Sequence, residues 1–302
     1  MSWWLFEGAI WFFLVVTGAA LIDIFTKYGK KVLKQRLLLL VSVVLLFSWS
    51  VVFYGSFIEP QILVVNKVDV DLPGLNKSVR VAVLSDIHVG PYKNYGWVHD
   101  VVTKTNAQNP DAVFLLGDYV FGHLGQLSDL DALSGLSAPL GVYAVLGNHD
   151  YDGDRQYEIK EKLESLGIKV LINTSEIVSI SESEKICLAG LGDLWNRFDF
   201  EQTLNDCLNQ ENILLLSHNP DAILFEQSQV VDLMISGHTH GGQIRLPFFG
   251  AVSKIPTILD KSFNQGLFES ETSKFFVTSG LGETGPRARL FNPPEIAILE
   301  LK

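Results

Sequence analysis

Apolar residues are unevenly spread along this chain of 302. Residues 37–58, LLLLVSVVLLFSWSVVFYGSFI, run without one charge, and residues 8–22, GAIWFFLVVTGAALI, do the same. As a helix at about 1.5 Å per residue the longer stretch spans roughly 33 Å, enough for a hydrocarbon core. The shorter one reaches that length if it starts near Trp3 and tolerates Glu7. The pattern therefore predicts two transmembrane helices, over about 3–22 and 37–58, which form a hairpin in the lipid bilayer. A cleaved signal peptide would carry a basic leading region, and the first basic residue here is Lys27. Trp3, Trp4, Trp11 and Trp49 fall in these segments, where interfacial anchoring uses tryptophan.

From residue 61 the pattern changes. Short β-rich runs at 79–86, 111–118, 141–147, 212–218 and 231–237 each end in polar residues, and helical patterns at 94–107, 154–166 and 200–209 alternate with them. The reading is an anchor over 1–60 and an α/β layered domain over 61–302, in which ligands bind beyond the carboxyl ends of the strands.

Charge adds an orientation. Between the two apolar helices Lys27, Lys30, Lys31, Lys34 and Arg36 stand against Asp23. The positive-inside rule places that loop in the cytoplasm, and hence a two-pass cell (inner) membrane protein with residues 61–302 on the outer, periplasmic side. The first 60 residues take five basic residues and three acids (Glu7, Asp23, Glu59) from totals of 23 and 34, leaving 18 against 31, a net charge of −13. Such a domain repels polyanions, so no nucleic acid partner is expected. Cys187 and Cys207 fit no metal spacing and read as packing residues.

The strand ends carry the chemistry: Asp86 and His88 in SDIH, Asp118 in LGDYV, Asn148 and His149 in GNHD, His218 in LSHNP, His238 and His240 in GHTHGG. Any one of these has an ordinary explanation as a cap, a turn or a satisfied histidine. Together they deliver metal-ligand chemistry from five consecutive strands to one rim. Asp86 and His88, at i and i+2 of an extended segment, would point the same way and reach one ion, and His238 and His240 likewise. A carboxylate can bridge two ions where a neutral imidazole cannot, which nominates Asp118. Oxygen and imidazole ligands suit Mn, Fe or Zn better than Ca. Two metals roughly 3.5–4 Å apart form a clamp for in-line phosphoryl displacement. Gly241 and Gly242 would let the backbone turn beside the metals, where side chains would intrude on the phosphate.

In that order, D-x-H, G-D, G-N-H-D, a later H and G-H-T-H resemble the calcineurin-like metallophosphoesterases. The ending SGLGETGPRARLFNPPEIAILEL is similar to that of a membrane-associated bacterial subgroup that includes UDP-2,3-diacylglucosamine hydrolases of lipid A biosynthesis. The resemblance implies a four-layer αββα sandwich of two mixed sheets, with two divalent or mixed-valence metal ions. It implies that Asp86, His88 and His240 hold one ion, that Asn148, His218 and His238 hold the other, and that Asp118 bridges them. His149 is similar to the family histidine that stabilises the scissile phosphate and assists the leaving group. Many relatives read G-D-x-x-D, the last Asp orienting that histidine, whereas here Phe121 stands at its position. Asp150 and His123 are the candidate replacements, and each also suits a solvated loop.

Substrate contacts are less marked. The stretch QIRLPFFGAVSKIP at 243–256 brings Phe248 and Phe249 beside the expected metals, either as an apolar lip for an acyl chain or as a hairpin packed on its own core. Arg287 and Arg289 are candidates to clamp a phosphate, with Arg289 at a family arginine position and surface pairing as the competing reading. Asp193 and Trp195 suit a cleft wall, a cap or core packing. The expected function is a membrane-anchored, dinuclear-metal phosphoesterase cleaving a phosphodiester or pyrophosphate in a phosphorylated small-molecule, nucleotide-linked or lipid-linked substrate. A UDP-2,3-diacylglucosamine hydrolase type of reaction leads. The alternatives are an envelope phosphatase or phosphodiesterase of other specificity, a protein phosphatase, and a non-catalytic binding module. The leading reaction belongs in the cytoplasm, whereas the charge rule faces the domain outwards.

Overall fold

The computed structural model describes residues 3–28, 32–210, 212–270 and 273–302. Lys30 and Lys31 of the basic loop lie outside the described residues, as do the side chains of Lys27, Lys34 and Arg36.

Two long helices come first, α1 (Trp3–Tyr28) and α2 (Val32–Phe53). They pair antiparallel, for the Trp49 indole donates to the Leu14 carbonyl at 3.1 Å and Trp11 meets Phe57 at 5.2 Å. Both are long and apolar enough to cross a membrane, with only 17% and 6% of their most apolar windows buried. α2 gives way to a π-turn over Tyr54–Ile58 and a short turn over Glu59–Gln61, where Pro60 supplies no N–H to continue a helix.

Among the described residues fourteen strands follow: β1 (Val64–Val70), β2 (Val79–Leu84), β3 (Ala112–Leu115), β4 (Val142–Ala144), β5 (Lys169–Val170), β6 (Thr174–Ser179), β7 (Lys185–Gly190), β8 (Ile213–Leu216), β9 (Leu233–Ser236), β10 (Arg245–Leu246), β11 (Gly250–Ala251), β12 (Gly266–Glu269), β13 (Lys274–Val277) and β14 (Glu295–Leu301). Two six-stranded sheets have the orders β1-β14-β2-β3-β4-β5 and β12-β13-β9-β8-β7-β6, while β10 and β11 form a separate hairpin. Each sheet is mixed. β2 to β5 run parallel with β14 antiparallel beside β2, and β7, β8, β9 and β13 run parallel between antiparallel β6 and β12.

Alternation along the strands builds four layers. Val81 and Val83 of β2 face Leu214, Leu216 and Ile235 of the other sheet, while Ala82 and Leu84 face outwards onto Val98 and Val101 of α3 (Tyr95–Asn106) and Ile159 and Leu163 of α4 (Gln156–Ser165). Cover on both faces is why these strands read as continuous apolar runs. Asn94 starts α3 by accepting the Trp97 N–H. The second sheet is covered by α5 (Phe200–Leu204) and the short turns after β8. α5 is shorter than the predicted 200–209: Phe200, Thr203, Leu204 and Cys207 are buried at helical spacing, but the chain passes into turns over 205–209.

Cys187 on β7 and Cys207 beyond α5 are wholly buried, as packing residues would be, but they are also bonded to each other. The packing expectation is thus incomplete. α5 folds back over β7 and brings the two Cα atoms to 5.5 Å across a separation of 20 residues. Closing a loop of that size stabilises a fold by about 3 kcal/mol.

Candidate metal centre

The carboxyl ends of β2, β3, β4, β8 and β9 converge on one rim, and the loops leaving them carry the polar residues. Asp86 (φ 55°), His88 (48°), Asp118 (57°), His238 (68°) and His240 (51°) all adopt left-handed backbone. This corrects the extended-segment argument: side chains two apart meet because the chain turns sharply at each. A non-glycine residue there costs about 1–2 kcal/mol, and the surroundings hold it in place. Asp86 N donates to Gly117 O at 3.0 Å, His88 N to Asp118 O at 3.0 Å, and His238 N to the Asp86 carboxylate at 3.1 Å.

Two overlapping groups result, Asp86 with His88 and His240, and Asp86 with Asp118 and His218, each with its ligand atoms within 4.8 Å of one another. Asp118 Oδ2 lies 3.5 Å from His88 Nε2 and 3.3 Å from His218 Nε2, so one carboxylate oxygen faces both sides. Asp86 Oδ1 is 3.4 Å from His240 Nε2, and His238 Nδ1 is 3.2 Å from His218 Nε2. Asp86 Oδ1, His88 Nε2 and Asn148 Oδ1 are buried without a hydrogen-bond partner among the described residues. Leaving such atoms unmade costs about 1–3 kcal/mol each, and divalent cations would satisfy them. The donor set fits the metals that the sequence implies.

The far nitrogen of each ring is tied to a backbone carbonyl: His88 Nδ1 to Val120 (3.4 Å), His218 Nδ1 to Leu116 (2.6 Å), His240 Nδ1 to Gly282 (3.3 Å) and His238 Nε2 to Pro256 (2.7 Å). Such contacts fix tautomer and ring direction. Pro256 is held in turn, because the Asp221 carboxylate accepts from Thr257 Oγ1 and the N–H groups of Ile258 and Leu259.

Burial pushes His88 down to about 3 and lowers His240 and His238, leaving imidazoles neutral as ligands require. In His218 burial acts the same way, but the Asp118 carboxylate outweighs it and raises the ring to about 10. Asp118 is correspondingly held well below the carboxylate range, its own burial overcome by His218, His149 and His88. A cation entering between them must displace the His218 proton.

His149 is positioned by Asp118 Oδ1, which accepts its backbone N–H at 2.9 Å. Its ring Nδ1 is 2.9 Å from Asp152 Oδ2. Asp152 is thus the carboxylate that stands where Phe121 leaves a gap, and sequence reasoning missed it. Asp150 is occupied elsewhere, accepting the N–H groups of Gly147, Asp118 and Tyr119, and burial together with Asp118 lifts it to about 7. Burial lowers the His149 ring, but Asp118 and Asp152 more than compensate and raise it. His149 opens on a cavity of about 450 Å³, with His88, Phe121 and His123 among its walls. His123 is therefore a wall residue without contact to His149 among the hydrogen bonds. Phe121 places its ring edge-on at 6.1 Å from His88.

The candidate substrate contacts fare differently. Arg289 is fully buried beneath the site, its guanidinium spent on the carbonyls of Ser279, Gly280, Gly282 and Asn292 and on Glu283 at 3.6 Å. It braces the loop behind His240 and cannot clamp a phosphate. Phe248 and Phe249 sit at the tip between β10 and β11, 106% and 78% exposed, and neither lines the cavity nor packs on a core. The left-handed turn at Phe248 (φ 69°) swings them outwards. Trp195 meets His238 edge-on at 4.8 Å, and Asp193 accepts from Trp195 N and Asn196 Nδ2 within its own turn. Gly241 and Gly242 do turn with positive φ (56° and 79°), but added Cβ atoms would strike Gln265 and Ala251, so what they clear is the protein's own packing.

The calcineurin-like phosphoesterase model matches residues 79–242. An uncharacterised metallophosphoesterase of Campylobacter jejuni is 34% identical over 250 residues, covering 79% of this chain and 63% of that protein. A transmembrane protein with metallophosphoesterase domain from Danio rerio is 33% identical over 258 residues, 78% of this chain and 57% of its own length. Phosphodiesterase YaeI of Escherichia coli is 32% identical over 228 residues, 74% of this chain and 82% of that one. The chain thus spans less than two thirds of the Campylobacter and Danio proteins. With more than half its length matched by the family model and these relatives above 30% identity, the chain belongs to the calcineurin-like phosphoesterase family.

Proposed function

We propose that this chain is a membrane-anchored, metal-dependent phosphoester hydrolase with residues 1–60 as its anchor and 61–302 as its catalytic unit. The observation that carries the reading is the pair of overlapping ligand groups that share Asp86, with one Asp118 oxygen facing imidazoles on both sides. Asp86, His88 and His240 would hold one cation, Asn148, His218 and His238 a second, and Asp118 both. Mn, Fe or Zn suits this donor set. Such a pair neutralises phosphoryl oxygens and makes water nucleophilic near neutral pH. The residues do the rest. Asp118 fixes the His149 backbone, Asp152 holds Nδ1, and Nε2 is left to donate a proton to the departing oxygen.

The substrate is a phosphodiester or pyrophosphate, lipid-linked or nucleotide-linked, which would include a UDP-2,3-diacylglucosamine type of reaction. The name of the Escherichia coli relative supports a diester. Two apolar helices support the anchor. The Cys187–Cys207 bond supports an outward-facing domain, because disulfides persist in oxidising compartments. That side favours an envelope lipid phosphoester over a cytoplasmic nucleotide-linked one.

Metal analysis of the purified chain, followed by kinetics on monoester, diester and pyrophosphate substrates, tests the reading. About two metal equivalents and preferential diester or pyrophosphate turnover are expected, with both metal content and rate collapsing in His238→Ala. Full activity in that variant overturns the assignment.

A further inference from the structure

The cavity beside His149 is not walled by the sheet loops alone. Trp3 and Phe6, from the first two turns of α1, line it together with Phe121 and Leu124. One end of a helix fit to cross a membrane therefore borders the same space as His88 and His149.

The junction is built from side chains. The Glu7 carboxylate is 3.9 Å from the Arg287 guanidinium, which in turn lies over Phe57 at 4.8 Å and Tyr92 at 5.6 Å. Trp3 meets Tyr92 edge-on at 6.2 Å, and Tyr92 meets Phe121 at 5.7 Å. The end of α2 is clamped as well. Gly55 O accepts from Arg289 N at 2.8 Å, the buried Glu59 carboxylate accepts from Asn292 N at 2.5 Å, and Pro60 O accepts from Lys93. Asn292 Nδ2 then donates to the carbonyl of His240 at 2.7 Å.

A volume of about 450 Å³ is that of a small-molecule site. Its lining combines two chemistries, the imidazoles of His88, His123 and His149 and the apolar side chains of Trp3, Phe6, Phe121 and Leu124. A freely soluble phosphoester gains nothing from the apolar walls, whereas an amphiphile matches both.

Resting on the phosphoesterase reading, we propose that the leading end of α1 is a specificity-determining wall of the active site. The substrate is a phosphoester of a membrane amphiphile. Its phosphate lies against His88 and His149, beside the residues that would hold the cations, and the first carbons of its apolar chain lie between α1 and the 121–124 loop. The rest of the chain stays in the bilayer.

The full-length protein in detergent micelles, assayed on alkyl p-nitrophenyl phosphodiesters from methyl to dodecyl, tests this. In the wild type kcat/KM should rise about fourfold for each methylene that enters the wall and then level off. In Trp3→Ala/Phe6→Ala the ratio of octyl to methyl kcat/KM should fall at least tenfold, while Trp3→Phe/Phe6→Leu restores it. Micelle partitioning is common to all three proteins and cancels in the comparison. A wild type indifferent to chain length, or a ratio unchanged in the alanine variant, overturns the wall and leaves the phosphoesterase reading standing. No turnover of any monoester, diester or pyrophosphate by the metal-loaded wild type overturns both.

Discussion

Asp152 Oδ2 lies 2.9 Å from His149 Nδ1, three residues along one turn. The contact exists because the turn is broken. Asp152 leaves helical geometry (φ −59°, ψ 120°) and Gly153 follows in the left-handed region, which brings the carboxylate back towards the ring.

If Asp152 keeps His149 aimed and charged for proton donation, its loss should be felt most where the departing oxygen needs a proton. Asp152→Asn is expected to slow alkyl phosphodiesters about 10- to 100-fold, part of the 10²–10⁴ that a positioned acid contributes. A p-nitrophenyl ester should change little. The plot of log kcat against leaving-group pKa should steepen, and a parallel drop for every leaving group would show Asp152 to be merely structural.

Lys93 sets a pH dependence of stability. Burial lowers its ammonium from 10.5 to about 8, against the opposing pull of Glu283 3.4 Å away. Above pH 8 the folded chain has shed this proton while the unfolded chain keeps it up to about 10.5. The unfolded state then binds more protons, so this group adds stability as pH rises through that window, by up to about 1.4 kcal/mol per pH unit. Denaturant midpoints from pH 8 to 10 should show that slope in the wild type but not in Lys93→Met, and equal slopes would refute it.

The Cys187–Cys207 bond ties β7 to the segment after α5. Reduction, or Cys187→Ser/Cys207→Ser, should cost about 2–4 kcal/mol in urea unfolding. Protein taken from intact cells under thiol-blocking conditions should carry label at these cysteines only after reduction. Immediate labelling would remove the support for an outward-facing domain.

Local pattern made much of this architecture legible. Strands covered on both faces appear as apolar runs, and the polar residues at their ends come together at one rim because parallel strands align their carboxyl ends. What escaped depends on neighbours distant in sequence. Nothing local distinguishes Arg289, a cation boxed in by four carbonyls, from a phosphate clamp. Asp150 and Asp152 look alike until the backbone break at Asp152 separates them. Asp and His tolerate left-handed backbone better than most non-glycine residues, but nothing local marks Asp86, His88, Asp118, His238 and His240 as the ones that adopt it, because distant backbone partners hold them there. Trp3 reads as an interfacial anchor and Phe6 as part of an apolar span because their other neighbours, Tyr92 and Gly285, lie more than 80 residues on.

Both the start of α1 and the end of α2 are fastened to the loops around the cavity, through Glu7–Arg287 on one side and Glu59–Asn292 on the other. An anchor held at a single point would let the catalytic unit swing on a leash. Fastened at two, and with the two helices in a bilayer as proposed, the mouth of the cavity would keep a set height above the lipid headgroups. Encounter with the proposed amphiphile would then be a search within a plane, governed by how many molecules occupy each patch of membrane and not by their concentration in water.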